Sequence, residues 1–394
     1  MLKNIIIINL LIYSLAGISG KELNIKNSVE LQLLFSEPQE NTIVILAGGD
    51  YYLQPTRFID ETCGNCEDVN TPVPATYGLK ISGEKVRLIG PKEKSAVIHT
   101  NSGYGLYVVD CQEFYLENVT LTEGIRDTSG MASDAAVVVK NSRAFLKNNL
   151  ITGNLGDSLM IAKHISGIMG ICGRENSYME IVNNQIISNS WDGIALYRDA
   201  EAYIEGNIIE DGRGVAIGVT WNAKARVIDN YIARYWKGIG LFVDASGVVQ
   251  NNIIEDMYTW GLSLWDAGKG KPQGTFQNNI IYNTGAMGAS ITSSTAENPG
   301  CFTDNIIMQT AQNPYYDSPD YYGYQCALAL HSVPTEFVLE NNLFFNNRRA
   351  TDDLPDFDVS EAEFQKKLLD WDKWISKLKF IEKSEFWEMT KKDK

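Results

Sequence analysis

Asp199, Asp244 and Asp266 each stand just past a short apolar run, and each closely follows an aromatic residue: Tyr197, Phe242 and Trp265. Paired carboxyl groups cleave glycosidic bonds. One protonates the leaving oxygen while the other serves as base or nucleophile, at separations of roughly 5–5.5 Å or 6.5–9.5 Å. Gathered carboxylates also hold Ca²⁺, which would let an acidic protein bind acidic sugars. Aromatic rings add apolar area for stacking a sugar, and Trp221 and Arg198 extend that set. Elimination from an acidic sugar would need neutralising cations, for which Arg174, Arg198, Arg213, Lys224 and Lys237 are available. Of His99, His164 and His331, the last is the acid/base candidate, because it closes the last regular apolar run. Taken singly, each charged residue reads more plainly as a solvated turn, so the chemistry depends on elements that bring them together.

Those elements repeat. A polar residue, then Asn, then two mostly apolar residues recurs at Asn118, Asn149, Asn184, Asn207, Asn230, Asn252, Asn279, Asn305 and Asn342. The spacing falls to 22–23 residues, and larger spacings are that repeat plus a loop. About eight residues after most of these Asn comes Gly-apolar-x-apolar, as in Gly193-Ile194-Ala195-Leu196 and Gly238-Ile239-Gly240-Leu241. A third alternating run, such as Ala202-Tyr203-Ile204-Glu205, precedes each Asn. Three short period-two segments per repeat, with no room for a helix, predict three strands per coil of a parallel β-helix. Coils stacked at the ~4.8 Å strand spacing would align the Asn into a ladder at a tight corner that tolerates left-handed φ. Asp244 and Asp266 then fall on adjacent coils, and Asp199 and Asp244 two coils apart, about 10 Å.

This pattern resembles the right-handed parallel β-helix, or pectin-lyase-like, superfamily. The lead-in is similar too: Ser28–Phe35 as a helix capping the first coil, then the strand and Gly-x-Tyr of Thr42–Tyr52, then Val86–Gly90 and Ala96–Ile98. The resemblance implies a substrate cleft on the Gly strands. The insertions at 122–134, 153–166, 266–274, 292–300 and 309–324 flank those same strands, and insertions on one face of a solenoid mark a binding face. Outward side chains there are expected as one small column (Ala195, Ala216, Gly240, Ser263, Ser290, Ala329) beside a second (Tyr197, Gly218, Phe242, Trp265, Thr292, His331). Such a face takes a sugar chain, or is covered by a loop of the protein, for which the Tyr-rich stretch 314–324 is the candidate. The signatures of polygalacturonases, mannuronan epimerases, pectate lyases and pectin esterases are absent, so the resemblance carries over no catalytic residue.

Composition narrows the partners. A net charge of −15 repels nucleic acid and anionic membranes, and 21% charged with 10% aromatic residues excludes a mostly disordered chain. Lys3, the apolar run Ile5–Leu15 and the small residues Ala16–Gly20 read as a secretory signal peptide, too short for a membrane span. Export permits a loop disulfide between Cys63 and Cys66; the four other Cys are expected to be reduced and buried. After Asn347 a capping box, Ser360-Glu361-Ala362-Glu363, opens an amphipathic helix expected to cover the last coil.

The expectation is an all-β, single-domain right-handed parallel β-helix of about eleven coils. Residues 1–20 are the signal peptide, 21–350 the β-helix and 351–394 a helical tail. The expected function is an exported monomer that binds a polysaccharide or oligosaccharide along one face, with cleavage by a lyase or hydrolase mechanism left open. The alternative is a non-catalytic surface or scaffold protein that binds a protein partner. The candidate catalytic residues are Asp199, Asp244, Asp266 and His331; the candidate substrate-binding residues are Tyr197, Arg198, Trp221, Phe242 and Trp265. Calcium is the one cofactor considered, with no ligand assigned.

Overall fold

The protein is described by a computed structural model covering residues 20–156, 166–292, 299–314 and 324–391. The signal-peptide segment before Gly20, His164 and most of the Tyr-rich loop (315–323) lie outside the described residues.

Strands that follow the Asn corners pair in parallel as a sheet of eleven, from Gly49–Tyr52 to Leu343–Phe345, so the solenoid has eleven coils. We call this the first sheet. The Gly strands form the second sheet and the strands leading into each Asn the third. The long strand Val73–Ile89 serves both of these, joining them into one 22-stranded network. All pairings are parallel except the hairpin of Thr56–Asp60 with Val73–Tyr77. The interior is a continuous column of side chains such as Ile194, Leu196, Ile217, Ile239, Leu241 and Leu264. No single coil can bury these alone, which is why the repeats must stack. The Gly that opens each second-sheet strand is a matter of space. A Cβ at Gly238 would stand 2.3 Å from the Gly261 carbonyl oxygen and 2.7 Å from Ile254 Cγ2.

The Asn corner divides its work between two adjacent residues. The first takes left-handed φ: Asn148 (55°), Asn183 (57°), Asp229 (54°) and Asn251 (58°). The second is buried and forms the ladder. Asn230 Nδ2 donates to Asn252 Oδ1 at 3.0 Å, and Asn252 Nδ2 to Asn279 Oδ1 at 3.0 Å. One expected ladder residue is misplaced. Leu150 pairs with Thr120, so Asn118 aligns with Asn148 and holds the left-handed position (φ 59°). The ladder starts at Asn149, whose Oδ1 accepts from the Val119 N–H. Both corner positions favour Asn, so sequence alone does not separate them. Asn154 and Asn189 form a second ladder at the opposite corner.

Helix α1 (Ser28–Leu34), capped by Asn27, inserts Leu31 into the first coil. Helix α2 (Glu361–Ile375) is capped by Ser360 as expected, but it does not lie across the last coil. With α3 (Glu385–Lys391), it runs back along the outer face of the first sheet, over Leu343, Ile306, Ile280, Ile253 and Tyr231. That face carries Ile where an exposed sheet would carry polar residues, so it needs a cover. The last coil is closed instead by Phe357, stacked on Phe344 at 5.1 Å, and by Asp358, which binds Asn347.

Candidate functional site

The outer face of the second sheet divides into a half covered by another segment and a half that no described segment covers. Over the early coils, Phe58, Cys63, Ala132 and Met169 pack with Tyr104, Tyr107, Val138, Cys172, Ala195 and Tyr197 in an apolar cluster. The cover is the segment around 56–72, which carries the Cys63–Cys66 disulfide (Cα–Cα 5.4 Å). Cys111, Cys172, Cys301 and Cys326 are free, and only Cys301 is not buried. Arg174 anchors the cover from below. It is 1% exposed and donates to Asp60 Oδ2 (2.9 Å), the Tyr104 hydroxyl (3.2 Å) and the Thr62 carbonyl (2.8 Å). Lys140 donates to the other Asp60 oxygen at 2.6 Å.

This cover removes three residues from the expected binding set. Tyr197 is buried beneath it. Arg198 donates to the carbonyls of Gly64 and Cys66, with its guanidinium 4.2 Å from the Trp221 ring centre. Trp221 also carries Lys269, which pairs with Glu67 at the tip of the cover. Self-coverage therefore does occur, though by a segment some 130 residues upstream of Arg198.

Beyond Trp221 no described segment covers the face, and its register differs from the expected one. Ala195 pairs with Gly218, not Ala216, and the floor continues through Gly240, Ser263, Ser290 and Ala329. Ala216 is a core residue. Ala216, not Gly214, stands opposite the strand-opening Gly193, so the Gly-apolar-x-apolar motif here sits two residues ahead of its counterparts and misplaces the strand's start. One rim of the floor is Thr220, Phe242 and Trp265, continued by Thr292 and His331. The other rim is Val215, Lys237, Trp260 and Met287, with Asp192 at its head.

The rims are aromatic where they face each other. Lys237 Nζ lies 4.4 Å from the Trp236 ring centre, 4.6 Å from Trp260, 5.6 Å from Phe242 and 5.7 Å from Trp265. Burial holds Lys237 below the usual lysine range, and the charge of Asp192 only partly offsets this. Trp236, Tyr258 and Trp265 remain 37%, 43% and 50% exposed. Asp192 is 7% exposed, and burial pushes its carboxyl up to about 7 despite the Val215 N–H bond and the Lys237 charge. Sequence reading passed over Asp192, Trp236, Tyr258 and Trp260. A usable signal was the residue just before each strand-opening Gly, since Asp192, Lys237, Trp260 and Met287 all occupy it.

The candidate catalytic carboxylates sit elsewhere. Asp199, Asp244 and Asp266 lie at the corner between the second and third sheets and form turns. Asp199 exchanges hydrogen bonds with Asn222; Asp244 Oδ1 accepts from the Lys271 N–H (2.9 Å) and Asp266 Oδ1 from the Gly268 N–H (2.9 Å). His331 is exposed at the end of the last second-sheet strand, paired with Thr292. Among the described residues, no three His, Cys, Asp or Glu side chains gather to hold a metal ion.

Among known proteins, the family model described as "Right handed beta helix region" matches residues 169–352. No curated protein matches the chain. A double mutant of the periplasmic alginate epimerase AlgG superposes with a TM-score of 0.51 at 11% identity, covering 82% of this chain and 73% of that one. A polygalacturonase from Erwinia carotovora gives 0.45 at 11%, covering 83% and 96%; the surface adhesin PfbA of Streptococcus pneumoniae gives 0.41 at 14%, covering 64% and 72%. At such identities the likeness concerns architecture alone. Parallel register through eleven coils, the Asn ladder and the matched repeat region make this chain a right-handed parallel β-helix of the pectin-lyase-like fold.

Proposed function

We propose that this protein is exported and, as a monomer, binds a polysaccharide chain along the half of the second sheet that no described segment covers. The observation that supports this is the floor of Gly218, Gly240, Ser263 and Ser290 between rims bearing Phe242 and Trp265 on one side and Trp236 and Trp260 on the other. Partly exposed rings offer stacking faces; Gly218, Gly240 and Ser263 are buried between them, with the Phe242 ring over Gly240, so a sugar chain would rest on the rims. The disulfide accords with an oxidising compartment. Binding without cleavage is the better supported form, because the hydrogen bonds of Asp199, Asp244 and Asp266 hold turns. Affinity electrophoresis through gels containing single neutral and acidic polysaccharides, with and without calcium, tests the reading. At least one glycan should retard the protein, and Trp265→Ala should weaken that retardation by about tenfold, the ~1–1.5 kcal/mol scale of one stacking contact. Unchanged retardation in Trp265→Ala and Trp236→Ala would place binding elsewhere, and measurable glycan breakdown would reopen the catalytic reading.

A further inference from the structure

A saccharide entering the groove brings hydroxyl groups that lose water and must find partners. We infer that the Asp192 carboxyl is such a partner, the polar anchor for a saccharide unit seated over Gly218. This rests on the polysaccharide reading of the same face.

Geometry carries the assignment. Asp192 Oδ1 accepts from the Val215 N–H at 2.6 Å. Among the described residues that is the only hydrogen bond to this carboxyl, and Oδ2 is open. Oδ2 points at the floor: a Cβ built on Gly218 would have Val215 Cβ at 3.7 Å and Asp192 Oδ2 at 4.0 Å, with nothing closer. The neighbouring floor position has no such room, because a Cβ on Gly240 would meet the Phe242 ring at 2.0 Å. The space over Gly218, itself a buried residue, therefore admits at least a methyl group and forms a small recess with Asp192 Oδ2 at its edge.

Folding does not explain the carboxyl. An asparagine would accept the Val215 N–H equally well without the cost of burying an acid. No cation lies within ion-pair distance of Asp192 among the described residues; Lys237 acts on it only at longer range. The other titratable groups that feel its charge are Tyr235, Tyr197 and Cys172, all buried. A nearly buried acid with one carboxyl oxygen unpaired at the edge of a small recess marks a functional position. Hydroxyl donors bond an ionised carboxylate more strongly than a neutral one. Ligand affinity should therefore rise as pH passes through the carboxyl's titration.

The test uses the protein in affinity gels containing xylan, a soluble β-glucan, polygalacturonate or alginate. For any glycan that retards the protein, Asp192→Asn and Gly218→Val should each weaken binding at least tenfold. Wild-type affinity should increase severalfold from pH 5.5 to 8, and the Asp192→Asn profile should be flat. Thermal melts at each pH confirm that the variants are folded. A glycan whose retention is lost in Trp265→Ala but unchanged in Asp192→Asn and Gly218→Val overturns the assignment and leaves the groove standing. Failure of every glycan to retard the protein overturns both.

Discussion

Asp192 and His99 are two side chains whose environments set a pH dependence, of the same sign but over different pH windows. Burial raises the Asp192 carboxyl to about 7, above the ~3.9 of an unfolded Asp. The folded state thus holds that proton more tightly, and stability falls as pH rises from about 4 to about 7. Asp192→Asn should remove this loss. Its melting temperature should match wild type near pH 4 and exceed it by several degrees at pH 8, the gain being on the order of 2–4 kcal/mol at most. His99 runs the same way, over a higher pH window. Burial alone would depress it, but Asp50 (3.0 Å) and Glu123 (2.9 Å) flank the ring and hold the imidazolium above its usual range. Its contribution is full below the unfolded value near 6.5 and is lost as pH climbs through the raised folded value. The destabilisation caused by His99→Gln, read from melts between pH 5 and 9, should therefore be largest at the acid end. Neither environment was legible in the sequence. The partners of His99 lie 49 and 24 residues away, and the burial of Asp192 depends on neighbouring coils.

At the scale of the element, the corner separates two kinds of Asn that composition alone merges. Asn252 Oδ1 receives both the backbone N–H and the side-chain amide of Asn230, while its own amide reaches Val227 O and Gln250 O at 2.9 Å. Asn252→Ala would strand several buried polar groups and should cost about 3 kcal/mol, read from chemical denaturation. Asn251 serves chiefly through its φ of 58°, so Asn251→Gly should be nearly neutral and Asn251→Ala should cost about 1–2 kcal/mol. Equal effects at the two positions would contradict this division of labour. The strands themselves were readable because alternation reports inside and outside directly. The two-residue slip at Gly218 was not, because Gly214 offers the same motif two residues before the position that Ala216 takes opposite Gly193.

Over the whole molecule, two long-range covers decide which faces meet solvent. The disulfide segment closes half of the second sheet, and the C-terminal tail closes the later coils of the first. The tail is latched by Ser384 to Glu255 Oε2 (2.7 Å), by Lys383 to Glu210 (2.8 Å) and by apolar anchors including Phe364, stacked on Phe345 at 4.3 Å. Phe364→Ala should weaken this docking by about 3 kcal/mol. Limited proteolysis should then cut the tail at least tenfold faster, while the β-sheet circular dichroism signal persists. Loss of that signal instead would make the tail part of the folding unit rather than a cover.

The repeat, its three strands, the small-residue face and the aromatics Phe242 and Trp265 were determined by local spacing, because a strand's inward and outward positions are set by neighbours two residues away. Only the tertiary structure decided that Tyr197, Arg198 and Trp221 support a cover, that Asp199, Asp244 and Asp266 close turns, and that Asp192 faces the recess. Those outcomes depend on contacts between segments whose separation in the chain carries no periodic signal. Coil stacking and loop docking, rather than local pattern, determine which outward side chains remain available to a ligand.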